Sequence, residues 1–113
     1  KGDFVVGFEL NIQCNAEVTN PRIYNVVTQE FFGWTGTFDA GTVIYLSTIH
    51  GKKKTWYQDD TDPEATNAMG TRMAGSSFFG LDNIEANNLV VQADKGEENI
   101  LATISFTPLI IGV

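Results

Sequence analysis

Cysteine and histidine are almost missing from this 113-residue sequence, which has one of each, Cys14 and His50. A single cysteine closes no internal disulfide. A single histidine leaves no multi-histidine zinc or copper site and little for a Ser–His–acid or Cys–His nucleophile. Basic residues are few as well: seven against 14 acidic ones, a net charge of −7. Such a field repels phosphate backbones and anionic lipid, so no nucleic-acid partner is expected. No apolar run approaches the ~20 residues of a spanning helix, so no membrane insertion is expected either. There is no Gly-x-Ser-x-Gly elbow, no His-Glu-x-x-His and no Asn-x-Ser/Thr acceptor. Together these absences predict a chain without catalytic machinery. It starts at Lys1 rather than Met, as a processed, excised or trimmed chain does.

What is there is β-forming. Hydrophobic residues make up 42% and charged residues 19% of the chain, a globular balance for one domain spanning 1–113. From Phe4 the even positions run Phe4, Val6, Phe8, Leu10, Ile12, Cys14, Ala16, Val18, while Glu9, Asn11, Gln13, Asn15 and Glu17 interleave. Period two over that length is a strand with one apolar and one polar face, since a helix would scatter those side chains around its circumference. Cys14 has core parity and is expected to be an inert thiol. The strand is longer than the usual ~5–6 residues, which predicts a bulge at Gly7 or an extension beyond its own sheet.

Further strands are expected over Ile23–Phe32, in the Gly33–Phe38 segment, over Thr42–His50 and over Thr55–Gln58, the last two as a hairpin across Gly51–Lys54. Ser76–Leu81, Asn87–Ala93 and Asn99–Thr107 follow, with turns at Asn20-Pro21, Asp39–Gly41 and Asp94–Glu97. Thr42–His50 is nearly continuous in β-formers and so is expected to be central. One short helix is expected in the 62–70 loop, capped by Asp62, with Pro63 at its first position and Gly70 at its close. Seven or eight short strands predict an all-β, antiparallel β-sandwich, jelly-roll or Ig-like.

Asp59, Asp60, Asp62 and Glu64 crowd one loop. A glycosidase needs two carboxylates held across a groove, which a single crowded loop does not supply. Asp60, Asp62 and Glu64, at alternate positions, suit calcium, the one cofactor the sequence suggests, although Pro63 interrupts the run and helix capping also accounts for Asp62 and Glu64. Lys52-Lys53-Lys54 is expected to be a solvated hairpin tip, complementary to those acids on a neighbouring copy.

Two features point to a role. The first is a pair of apolar ends: Phe4, Val6, Phe8 and Leu10 at one terminus, and Leu109, Ile110 and Ile111 at the other. Sheet-competent ends assemble copies by strand addition, which predicts a non-catalytic structural subunit of an extracellular, cell-surface or virion assembly, a homo-oligomer or polymer. The second is aromatic. Trp56 and Tyr57 are adjacent in a strand, so one of them faces out, and Trp34 beside a turn is expected to be partly exposed. With Gln58 and Asp59 nearby, these rings suit a carbohydrate-binding module or lectin whose partner is a glycan.

Overall fold

The structure is a computed structural model that describes residues 7–49, 51–61, 63–79 and 89–106. It is an all-β, antiparallel sandwich. Its strands are β1 (Phe8–Cys14), β2 (Val18–Thr19), β3 (Arg22–Asn25), β4 (Phe31–Gly33), β5 (Thr37–Phe38), β6 (Val43–Ser47), β7 (Lys54–Gln58), β8 (Thr66–Asn67), β9 (Leu89–Gln92) and β10 (Ile100–Phe106). Five of them form one sheet in the order β10-β1-β6-β7-β8, three form a second in the order β4-β3-β9, and β2 and β5 form a short ribbon.

The alternation in the opening segment is realised in β1. Phe8, Leu10, Ile12 and Cys14 are at most 1% exposed and face the smaller sheet, where Ile23 and Phe32 are equally enclosed. β1 lies between β10 and β6, so both of its edges are paired. It ends at Cys14 instead of running on to Val18. There Cys14 donates to Thr42 O and accepts from Gly41 N, and Asn15 N turns to Asn99 O at 2.8 Å. The bend at 15–16 delivers Val18 to the core on a separate strand paired with β5. Phe4 and Val6 lie outside the described residues.

Two other expectations are corrected. Ile23–Phe32 is not one strand but a hairpin of β3 and β4. Asn25 makes it so: its Oδ1 accepts from Val27 N at 3.0 Å and Thr28 N at 3.3 Å, and Gln29 takes the left-handed φ of 65° that reverses the chain. This side-chain turn overrides the strand propensity of Val26 and Val27, which stand 46% and 56% exposed at its tip. The short helix of the 62–70 loop is also replaced. Thr66 and Asn67 pair with Tyr57 and Trp56 as β8, and the local helical turn is a 3-10 turn at Met69–Thr71, opened by Asn67 Oδ1 accepting from Met69 N. Burial of Ala68, whose N–H bonds Thr55 O at 3.0 Å, pulls the segment along the edge of β7 rather than into a helix. Asp62 lies outside the described residues.

Residues 76–79 form no strand but carry two rings into the core. Phe79 packs on Phe8 at 5.2 Å and Phe78 on Phe32 at 4.9 Å. The β6–β7 hairpin, the central place of β6 and the turns at 20–21, 39–41 and 94–97 stand as the sequence predicts. Gly96 is required in the last of these, because its φ is 77° and a side chain there would collide with Glu17 O.

Candidate functional site

Because β1, β6, β7 and β10 give alternate residues to the core, the others are committed to the outer face of the five-stranded sheet. Register fixes their neighbours. Tyr45 on β6 stands opposite Trp56 on β7 and Asn11 on β1, and Val43 stands opposite Gln58 and Gln13. The face is therefore polar with an aromatic island. Trp56 and Tyr45 stack with centroids 5.1 Å apart and planes 18° from parallel. The Tyr45 hydroxyl donates to Glu9 Oε2 at 2.5 Å, which fixes the tyrosine ring and through it the tryptophan. Burial and that hydrogen bond push the Tyr45 phenol above its usual pKa, so it remains a donor.

Beside the stack is an open recess of about 390 Å³ lined by Gly41, Val43, Trp56, Gln58, Asp59 and Asp60. Its rim is shaped by close approach. Gly41 has φ 90°, and a side chain there would stand 2.8 Å from the Asp60 carboxylate. Asp59 Oδ1 accepts from Thr61 N at 3.0 Å and from Thr61 Oγ1 at 2.8 Å, which holds the loop after β7 in place. An apolar ring wall, an amide and two carboxylates thus converge on one hollow. Such a set holds a ligand by ring-face contact and directional hydrogen bonds. Comparison with protein-family models, curated proteins and solved structures returned no match.

Of the expected ligand-binding residues, Trp56, Gln58 and Asp59 are brought together here. Trp34 is not. It is fully buried, tilted against Phe32 at 5.2 Å, and its Nε1 donates to Thr55 Oγ1 at 2.9 Å. Its parity with Phe32 across Gly33 was the available signal. Tyr57 also belongs to the inner side, where its ring meets Phe38 edge-on at 5.5 Å. Tyr45 and Val43 were missed because only strand register joins them to Trp56, and Gly41 because it reaches the recess from the turn before β6, against Asp60.

The expected assembly residues Phe8 and Leu10 are core residues of the chain itself, with no exposed surface to offer a second copy. Leu109, Ile110 and Ile111 lie outside the described residues. Among the described residues no three acidic, histidine or cysteine side chains gather to ligate a metal. Asp60 and Glu64 are exposed, and Asp62 of the expected calcium set is outside the described residues. Among the described residues, no helix is long and apolar enough to cross a membrane.

Proposed function

We propose that this chain is a carbohydrate-binding module whose ligand lies on the outer face of the five-stranded sheet against Trp56. The observation that carries this reading is the half-buried Trp56 ring, braced by Tyr45 and bordering the recess that Gln58 and Asp60 share. A pyranose has one face of C–H groups and a rim of hydroxyls. The first needs a flat apolar surface and the second needs fixed amide and carboxylate oxygens. Bracing matters because a ring already held in place loses little freedom on binding. The site is acidic in an acidic protein, which favours neutral sugars over sulfated or uronate chains. The experiment is a glycan array with the parent protein and Trp56→Ala. Binding by the parent, lost in a variant that still unfolds cooperatively from a folded state, supports the module. A parent that captures no glycan overturns it.

A second reading, a structural subunit built by strand addition, is favoured by one feature. The strand β10 borders its sheet, and its outer edge pairs with no other described strand. Its seven residues hold no charge and no proline, and Leu101 is 55% exposed. Long uncharged edges are templates for pairing with another chain. The assembling strand is on this reading the last rather than the first. Light scattering on the parent and on Ala102→Lys tests it: copies that associate in the parent and separate in the variant support it, and a parent monomeric at millimolar concentration removes it.

A further inference from the structure

The recess beside Trp56 has a neighbour. A second hollow, of about 270 Å³, is lined by Asn11, Gln13, Val43, Leu101 and Thr103 on the same outer face. Val43 lines both. Register explains how one residue serves two hollows, because Gln58, Val43, Gln13 and Leu101 form one row across β7, β6, β1 and β10. Trp56, Tyr45, Asn11 and Thr103 form the adjacent row. From β7 to β10 there are three inter-strand spacings, about 14 Å in all. One sugar ring at Trp56 therefore leaves the second hollow empty.

We infer that the two hollows form a single track for a linear, neutral oligosaccharide of about three or more residues, running across the strands with its first ring on Trp56 and its last over Leu101. This rests on the glycan-binding reading and specifies its ligand. The chemistry along the track alternates as a sugar chain requires. Trp56, Val43 and Leu101 are apolar stations, and Gln58, Gln13 and Asn11 are amides between them. Asn11 and Gln13 are exposed, and neither has a side-chain hydrogen bond to another described residue, so their amides are available to hydroxyls. The strands hold these stations on paired backbone rather than on loops, so the spacing is preset and a matching chain binds without reordering the protein. Each ring beyond the first adds contacts without a second loss of translational freedom, so affinity rises steeply with length until the track is full.

Calorimetry with glucose and with β-1,4- and α-1,4-linked gluco-oligosaccharides of two to five residues tests this, with 15N-resolved NMR shifts as the second readout. The expected result is an affinity gain of at least tenfold between one and three residues, with a plateau after that. Shifts at Leu101 and Thr103 should appear only with the longer chains, and Leu101→Ala with Gln13→Ala should lower affinity for the trisaccharide by several-fold while leaving that for glucose unchanged. If glucose binds as tightly as the trisaccharide, or the paired variant leaves the trisaccharide unaffected while Trp56→Ala abolishes binding, the track is wrong and the single site at Trp56 stands. If no member of either series binds and the array is also blank, both fall.

Discussion

The two tryptophans stand on opposite sides of one sheet and are joined through a single strand. Trp34 enters from the smaller sheet and rests its indole N–H on Thr55, while Trp56, one residue further along β7, faces out onto Tyr45. Thr55 Oγ1 also donates to Tyr45 O at 2.7 Å, so its hydroxyl is engaged as both donor and acceptor. The same residue type serves opposite ends because strand alternation, not hydrophobicity, decides which way each points. A buried tryptophan needs its polar atom met inside; a half-exposed one leaves a ring edge and face for a partner. The contrast assigns core packing to Trp34 and leaves Trp56 as the ring on which the proposed glycan site rests.

The largest expected effect is at the buried side. Trp34→Ala should cost about 3–5 kcal/mol, because it removes ring contacts with Phe32 and leaves a cavity in a fully enclosed site. Denaturant unfolding measures it, and Trp56→Ala in the same assay should cost under about 2 kcal/mol, the range of a ring pair at a partly exposed site. Equal losses at both positions would break the division. Next in size is Thr55→Val, which keeps shape but leaves the Trp34 N–H buried and unmet, a cost of about 1–3 kcal/mol. Trp34→Phe should cancel much of that penalty, so a double-mutant cycle gives a coupling term of the same sign as the hydrogen bond. Additive losses would mean that the indole N–H finds another acceptor.

Thr55 also marks where legibility ended. The period-two face of Phe8–Cys14, the hairpin at 51–54 and the glycine turns follow from local pattern, and the structure keeps them. The direction of Trp56 does not follow. Parity allows either Trp56 or Tyr57 to face in, and the residue sharing the inner side with Tyr57 is a polar threonine, whose buried oxygen accepts the Trp34 indole N–H. That partner is 21 residues away in sequence, so no window along β7 contains the reason. Asn25 failed to signal for a related cause. Its carboxamide makes a turn inside a run of strand formers, and local hydrogen bonding outweighs the summed propensity of Val26 and Val27. The outer face was half legible: Gln58 and Asp59 lie beside Trp56 in the chain, but Tyr45 and Val43 reach it only through the pairing of β6 with β7.

A smaller effect separates inside from outside through Cys14. Burial pushes its thiol from 9.0 to about 11, because the anion loses water on the enclosed face of β1. The neutral thiol is thus favoured by folding. Its contribution is fully present below about pH 9 and is lost as pH rises through about 11, since the unfolded chain ionises first. At pH 8 an aromatic disulfide reagent should label Cys14 only as fast as the protein opens, and completely in denaturant. Rapid labelling of the folded protein would show that the inner face is not closed over β1.

The smallest expected effect comes from a polar cluster in the open, the counterpart of the enclosed Trp34–Thr55 bond. Asp94, past the end of β9, accepts from Asn20 Nδ2 at 2.8 Å and from Arg22 Nη1 at 3.0 Å. These two hydrogen bonds, the Asn20 bond first, hold its carboxyl below the usual value near 3.8. The sign is opposite to that of Cys14. A depressed carboxyl contributes stability above the pKa of the unfolded chain and loses it as pH falls through the lower folded value. Stability should therefore decline in acid below about pH 4, and Asp94→Asn should flatten part of that decline while changing little at pH 7. Exposure is the reason the effect stays small: the Asp94 side chain is 53% exposed, and water and salt screen its pairing with Arg22. Added salt at pH 7 should weaken the parent slightly and the variant less. Asn20 gives the cluster its remaining use. It sits at φ 53° with its Oδ1 accepting from Gly36 N at 2.8 Å, so Asp94 steadies a strained turn that joins β2 to β3. Asn20→Gly, which relieves the strain while removing both side-chain bonds, should come out nearly neutral in the same unfolding assay. A loss there larger than that of Thr55→Val would place the exposed cluster above the enclosed hydrogen bond and reverse the ranking.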